Sequence, residues 1–433
     1  MTIVFERCSL VAADPKSRTP LIVVSGRSGP VEATARSFLG DREASTLVVR
    51  HDLGDLGQGI VRRTLTTGSV DAQETTTEVL ELAHGCVSCT LRHDLLPLLR
   101  RLHSRSSVDR IVLQLDSALE PEAVCWAVEH VPVVDVVGQI DGPAGRDVRI
   151  EAVVTCLDVE PWWEEVTGDE DLDDDRTVAQ VAVGQVAFAD ALVVDSHTAD
   201  PWLAHKVSAV LTRLAPGAPT SAVPDGPDLL SRVGVDARRG RVDGAHSPLL
   251  RGHPPLDADH GVALVEFAAR RPFHPGRLHE AIDVLLDGVV AARGRFWLAT
   301  RPDIALWLES AGEGLRVAAA DRWLADMTDD ELLDVDPERR ALAAVGWDER
   351  FGDRDTSLVI LVHDAEPEAI SAALSWALLT ERELVDELSW STWDDPFGDF
   401  HTDPCADIPP GPLEKNKEAE MTREVEKNGE IAS

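Results

Sequence analysis

The chain of 433 residues carries 77 Asp and Glu against 41 Lys and Arg, a formal net charge of −36, with 44% of its positions hydrophobic. That length supports more than one packed core. The acidic balance argues against a broad electrostatic grip on nucleic acid, which rests on Lys and Arg neutralising phosphates. No stretch approaches the roughly 20 unbroken apolar residues of a membrane helix, and the opening MTIVFERCSL has charges where a signal peptide needs an apolar run. A soluble, cytoplasmic protein with no membrane partner is expected.

In chain order, the apolar run 20–26 ends in glycine and passes through a Gly/Ser/Pro turn into a helical pattern over 31–39. Strand, loop and helix in that order open a mononucleotide-binding α/β domain. Apolar runs recur at 46–49, 110–115, 148–156 and 191–195, flanked by helical patterns such as 91–102. Strands alternating with helices predict a mostly parallel, doubly wound sheet. In the helix after Cys89, Asp94 can cap, Pro97 falls in the first turn, and Leu95, Leu98, Leu99 and Leu102 make the apolar stripe. The CxxC is therefore placed on the loop leading into that helix. The acidic run from Glu164 to Asp175 reads as a solvated surface loop.

The Pro/Gly/Arg/Asp-rich stretch 216–259 is read as a linker between a first domain, 18–215, and a second, 260–385. The second is an α/β unit with strands over 262–267, 294–299 and 358–362, helices over 275–288 and 366–379, and a Trp-rich middle. Residues 386–433 form a Trp/Asp-rich end and, from Pro409, a tail with almost nothing to bury, expected to be disordered.

Among six cysteines only Cys86 and Cys89 are closely spaced, so thiols rather than a disulfide framework are expected. Two thiolates two residues apart on a glycine-led loop can clamp one Zn²⁺, with His84 helping to complete a tetrahedral set. The blander alternatives are two buried thiols packing a loop, or a redox pair outside its usual βαβ setting. His401 and Cys405 are a weaker second ligand pair, more simply a surface loop docking Trp393 and Phe397. His274, between two prolines, reads as structural.

The segment His84-Gly-Cys-Val-Ser-Cys-Thr-Leu-Arg-His-Asp94 resembles the Asn-Gly-Cys-x-Cys-Cys-x-x-Arg-x-Asp signature of the CobW-like P-loop GTPases, a family associated with metal handling. The blocks 268–278, 294–302, Gly346-Trp-Asp348 and Gly352-Asp-Arg354 resemble that family's C-terminal domain, and the likeness is collinear from about Pro20 to about Leu384. The resemblance implies a P-loop NTPase-like fold, zinc as the handled metal, and GTP with Mg²⁺ as the family's nucleotide. Within the family, HGCVSCTLRHDLLPLLRRLH and the stretch from Asp395 to Cys405 resemble an actinobacterial branch that recruits a ribosome hibernation factor to the ribosome under zinc limitation. That branch implies those two as partners, and an adaptor rather than an enzyme. A zinc metallochaperone GTPase is the alternative.

The departures from the family pattern bear on chemistry. A working P-loop cradles phosphates with backbone N–H groups, a lysine and a Ser/Thr that holds Mg²⁺. Here Gly26 and Gly29 keep their places and Thr34 follows, but Val31 replaces a glycine, Glu32 stands at the lysine position and Ala33 at the Mg²⁺ hydroxyl. Unit charges at about 4 Å interact by roughly 4 kcal/mol at an effective dielectric of 20. Exchanging attraction for repulsion therefore swings the site by about twice that, unless Arg27 compensates. Gln114-Leu-Asp-Ser117 replaces the family's Glu-Thr-Ser-Gly, and Asp195-Ser-His-Thr198 replaces the guanine clamp, where Thr198 cannot act as a charged bidentate acceptor. The middle cysteine of the family motif is Ser88, which removes one soft ligand.

Overall fold

The computed structural model describes residues 17–40, 45–81, 86–134, 136–172, 174 and 176–398, with Ser88 and Cys89 described in backbone only. His84, His401, Cys405 and the expected tail lie outside the described residues.

The first domain contains β1 (Thr19–Ser25), α1 (Val31–Ser37), β2 (Thr46–Asp52), β3 (Ile60–Gly68), β4 (Gln73–Glu81), α2 (Val87–Thr90), α3 (Leu96–His103), β5 (Arg110–Gln114) and α4 (Pro121–His130). A two-residue ladder of β6 (Pro132–Val133) with β7 (Gly142–Pro143) follows, then β8 (Val148–Asp158), α5 (Val159–Val166), α6 (Val178–Ala187), β9 (Ala191–Asp195), α7 (Pro201–Leu214), β10 (Thr220–Ser221) and α8 (Gly226–Ser231). Eight strands form one sheet in the order β10-β9-β8-β1-β5-β2-β3-β4. Its strands from β10 to β2 run parallel, and β3 and β4 add an antiparallel hairpin.

The central strand explains why the sheet is wound on both faces. Successive side chains of a strand point to opposite faces, so Leu21 and Val23 enter one core with Leu99 and Leu113, while Ile22 and Val24 enter another with Phe38 and Val193. A strand buried on both sides reads as a continuous apolar run, which is how β1 appears in the sequence. The β3–β4 hairpin is not among the expected strands, because its Thr-rich alternation is polar. Its signal was present in the β-branched residues flanking the turn at 69–72.

Residues 216–259, expected as a linker, are structured. β10 pairs with β9, and α8 buries Leu229 in the same core as Phe38. Further along, Arg239 donates its backbone N–H to the buried Asp190 carboxylate, and its guanidinium reaches the Glu151 carbonyl at 2.6 Å. Arg238 and Arg251 both pair with Asp243. Arg238, Arg239 and Arg251 are thus engaged as internal struts.

The second domain contains β11 (Val262–Ala269), α9 (Pro275–Ala281), β12 (Val289–Phe296), β13 (Ile304–Ala311), β14 (Gly314–Arg322), α10 (Asp329–Asp334), α11 (Pro337–Val345), β15 (Thr356–His363), α12 (Pro367–Ala377) and α13 (Glu387–Trp390). Its five strands make an antiparallel sheet in the order β11-β15-β12-β13-β14. His274 caps α9 by accepting from the Arg277 N–H at 3.4 Å and stacks on Trp393, the structural role expected of it. Trp297, Trp323 and Trp390 form a small core of their own, whereas Trp202, Trp347 and Trp376 are exposed.

The two sheets share one apolar seam, in which Leu157, Trp162 and Val207 pack with Val262, Val290, Ala311 and Leu361. Lys206 on α7 reaches Asp364 at 2.5 Å across the same seam, and His363 meets the Trp163 ring edge-on.

Since α8 belongs to the first core, truncating Leu229 to Ala should cost about 2–5 kcal/mol, the range for a fully buried leucine. Val235→Ala, a few residues on and 92% exposed, should change stability by less than about 0.5 kcal/mol. Urea unfolding of both variants checks this; equal midpoints would restore the linker reading.

Candidate functional site

The loop from Gly26 to Pro30 keeps the backbone of a phosphate loop for reasons that lie within the protein. Gly26 has φ 148° and Gly29 φ 81°. A Cβ on Gly26 would stand 2.2 Å from the Cys156 carbonyl oxygen, and one on Gly29 would stand 2.7 Å from the Leu157 carbonyl carbon. Both glycines therefore let the loop lie against the end of β8, where Ser28 Oγ accepts from the Asp158 N–H at 3.2 Å.

The side chains around this loop are turned to other uses. Glu32 lies in the first turn of α1, half exposed, and pairs with Arg36 at 2.7 Å. Between Ser17 and Gly398 the sequence has a single lysine, Lys206, already held by Asp364. No shift of register within the described residues can therefore bring a lysine to the loop. Arg27 is committed as well: its guanidinium binds Glu165 of α5 at 3.2 Å and the Ser117 carbonyl at 3.4 Å. Burial raises the Glu165 pKa, with Arg27 working against that rise. Glu165 is thus a half-buried partner of the loop, while Glu164, Asp169, Glu170, Asp171 and Asp174 of the acidic run are exposed, as the solvated-loop reading expects.

Thr34 is fully buried, and its hydroxyl lies 3.3 Å from the Cys156 thiol, so it faces the core. Burial pushes the Cys156 pKa up to about 12, which makes that thiol inert. Gln114 is buried at the end of β5. Two residues on, Asp116 accepts from the Leu53 N–H at 3.0 Å and the Ala118 N–H at 3.1 Å, tying the loops after β2 and β5 together. Asp195 caps its own turn, accepting from the His197 N–H at 3.0 Å. That bond and the His197 ring hold its carboxyl below the usual range. Thr198 is exposed, and Asp200, two residues beyond it, is the N-cap of α7.

The cysteine pair sits at the start of a helical stretch. Cys86 immediately precedes α2 and Cys89 lies within its single turn, so the motif belongs to the helix start rather than to the loop before it. The Cys86 carbonyl accepts from the backbone N–H of Thr90 at 3.2 Å and from its hydroxyl at 3.3 Å. Among the described residues, no group of three or more His, Cys, Asp and Glu side chains is gathered to hold a metal.

Asp94 does not cap this helix. Residues Leu91–Leu95 form a wide π turn, in which the Leu96 N–H reaches back to the Leu91 carbonyl, and α3 continues from it. A wide turn there accommodates Pro97, which has no N–H to give to the helical ladder. The Asp94 side chain is buried and accepts from Arg63 on β3, while its second oxygen lies 2.7 Å from His51 Nε2 on β2. Arg63 also binds Glu78 on β4. Three strands of the sheet edge, β2, β3 and β4, and the helical stretch that follows the CxxC are thereby joined through Asp94 and Arg63. Beside it, a small cavity bounded by His51, Val87, Thr90, Gln114 and Asp116 separates the CxxC helix from the end of β5.

Sequence reading missed His51, Arg63, Asp116 and Glu165. Each is a lone charged or polar residue in a strand or loop, and only the fold shows its partner.

A mostly parallel α/β domain with a glycine loop after its central strand, followed by an antiparallel-sheet domain, defines the class as P-loop GTPase-like with a smaller C-terminal domain. Residues 46–221 match the CobW/HypB/UreG nucleotide-binding domain, and residues 262–378 match the cobalamin synthesis protein CobW C-terminal domain. The chain is 50% identical over 393 residues, 90% of its own length and 96% of the other's, to the zinc chaperone Rv0106 of Mycobacterium tuberculosis strain H37Rv. It is 24% identical over 406 residues to the zinc-regulated GTPase metalloprotein activator 1 of Dictyostelium discoideum, covering 88% of this chain and 84% of that one. The Zn(II)-bound YjiA GTPase from E. coli aligns with 84% of this chain and 100% of its own at 13% identity, with a TM-score of 0.36. The chain belongs to the CobW family.

Breaking a buried ion pair by deleting one partner typically costs about 3–5 kcal/mol. Asp94→Ala, which leaves buried His51 and one arm of Arg63 without their partner while Glu78 keeps the other arm, should fall toward the lower end of that range in urea unfolding, whereas Glu74→Ala on the exposed strand β4 should cost less than about 0.5 kcal/mol.

Proposed function

We propose that this chain is a zinc-handling protein of the metallochaperone type that works without GTP turnover. The observation that carries the proposal is the placing of Cys86 and Cys89 at the start of a helix anchored through Asp94. Two thiolates are the soft donors that Zn²⁺ favours, and a set of fewer than four protein ligands suits metal held for transfer better than a closed structural site. His84, two residues before Cys86, would be the third donor. The names of the relatives as zinc chaperone and zinc-regulated activator support the same reading.

The absence of turnover is supported by the uses found for each station of the nucleotide loop. Glu32 carries the wrong charge for phosphate, Arg27 is held by Glu165, Thr34 faces the core, and Asp195 and Asp200 cap backbone. Every one would have to be released before GTP and Mg²⁺ found ligands.

A second reading is recruitment of a basic ribosome hibernation factor to ribosomes under zinc limitation. The net charge of −36 favours it, because an acidic surface speeds encounter with a basic protein and disfavours direct docking on RNA. If it holds, the factor should co-sediment with ribosomes from zinc-starved cells only when this chain is present.

Titration with Zn²⁺ should show about one ion bound per chain with proton release, lost in the Cys86→Ser/Cys89→Ser variant. Equal stoichiometry in both proteins overturns the metal assignment. Calorimetry with Mg²⁺-GTP should show no micromolar binding, and Glu32→Lys alone should not create hydrolysis, since Ala33 and Thr198 still lack the groups required. Measurable turnover by the native chain would refute the proposal.

A further inference from the structure

β4 is the outermost strand of the eight-stranded sheet, so its second edge pairs with no strand among the described residues. The β3–β4 ladder runs from Ile60 opposite Glu81 to Gly68 opposite Gln73 with no register shift. Within β4 only Gln73 and Leu80 are half-buried, and Val79 is 61% exposed. An edge strand presents a row of unpaired N–H and C=O groups that templates another strand, and folded proteins usually blunt such edges with charged side chains, proline or a bulge. β4 has no proline or bulge, and its charges are all of one sign, so they repel an acidic strand and admit a basic one. From Ser69 to Glu81 there is no Pro, Lys or Arg, but there are four acids: Asp71, Glu74, Glu78 and Glu81. Of these, Glu78 is the one that pairs with a cation, Arg63, among the described residues.

These features select the occupant. A second copy would set four acids and no base against the same set, on chains that each carry −36. An extended segment rich in Arg and Lys meets complementary charge, while its backbone completes the ladder. The strand also has a direction, since Glu81 is followed five residues later by Cys86. Five residues of chain span at most about 18 Å, so the Glu81 end of an added strand stands within that reach of Cys86.

We propose that the free edge of β4 takes up an extended, cationic segment of a partner protein as a ninth strand, docking that partner beside the Cys86–Cys89 motif. The docking itself stands on the edge and its charge; that the partner is a zinc recipient rests on the proposed function.

The test uses the full chain and a labelled octapeptide of alternating Arg/Thr and Val. A second peptide of the same sequence is N-methylated at alternate residues so that it cannot complete the ladder. Hydrogen exchange of the native protein should show new protection at alternating amides within 73–81 when the first peptide binds. Fluorescence anisotropy should show the N-methylated peptide, and the Glu74→Lys/Glu81→Lys variant with the first peptide, each binding at least about tenfold more weakly, a difference of about 1.4 kcal/mol. Equal binding of the two peptides would mean simple charge attraction and would overturn the proposal, as would absence of protection in 73–81. Zinc stoichiometry is measured on the same protein. Zinc bound without strand pairing sinks the docking proposal alone, and strand pairing without zinc sinks the zinc-handling reading alone.

Discussion

One buried carboxylate organises the ground around the cysteine pair. Asp94 lies inside a helical stretch, nearly out of reach of water, where an unpaired charge would cost several kcal/mol. Arg63 and His51 supply the partners, and to do so β2 and β3 must stand beside the CxxC helix in one register. The π turn that carries Asp94 also absorbs Pro97. A local irregularity in the helix and the placement of a hairpin thus answer the same requirement: that this charge be satisfied.

The glycine loop holds its backbone through contacts that lie inside the protein. Gly26 and Gly29 are required by the close approach of β1's loop to β8, whether or not phosphate ever binds. Around them the polar side chains have found internal partners. Arg27 clips the loop to α5, Asp116 joins two strand ends, and Asp195 closes its own turn. Each of these bonds stabilises the fold from within, so this end of the sheet keeps its shape through contacts inside the protein.

In the proposal made for β4, whose outer edge pairs with no strand among the described residues, a partner is met through the sheet rather than through the nucleotide loop. Strand addition uses main-chain hydrogen bonds for affinity and the flanking charge for selection. β4 is the outermost strand of that sheet and ends five residues before Cys86 in the sequence. The seam between the two domains has a different character, with an apolar core edged by the Lys206–Asp364 pair, and it serves cohesion rather than recruitment.

What the sequence determined by itself were the features that depend on neighbours along the chain. β1, β8 and β9 were legible because strands buried on both faces leave continuous apolar runs, and β11, β15, α9 and α12 of the second domain because their periodicity is local, whereas β13 and β14 were not read and β12 begins five residues before the strand expected at 294–299. The glycines, the Glu32 substitution and the Cys86–Cys89 spacing were equally visible, since each is a matter of residue type at a fixed offset. The Asp94–Arg63–His51 network, the capture of Arg27 by Glu165 and the incorporation of 216–259 into the first core were decided only by tertiary structure. Those contacts join residues between 31 and 191 positions apart, such as Asp94 with Arg63 and Leu229 with Phe38. A lone charged side chain carries no mark of its partner, because pairing is set by where the sheet order brings two strands together. The open edge of β4 is of the same kind: the hairpin residues permit a strand, but only the order of the whole sheet leaves that strand outermost.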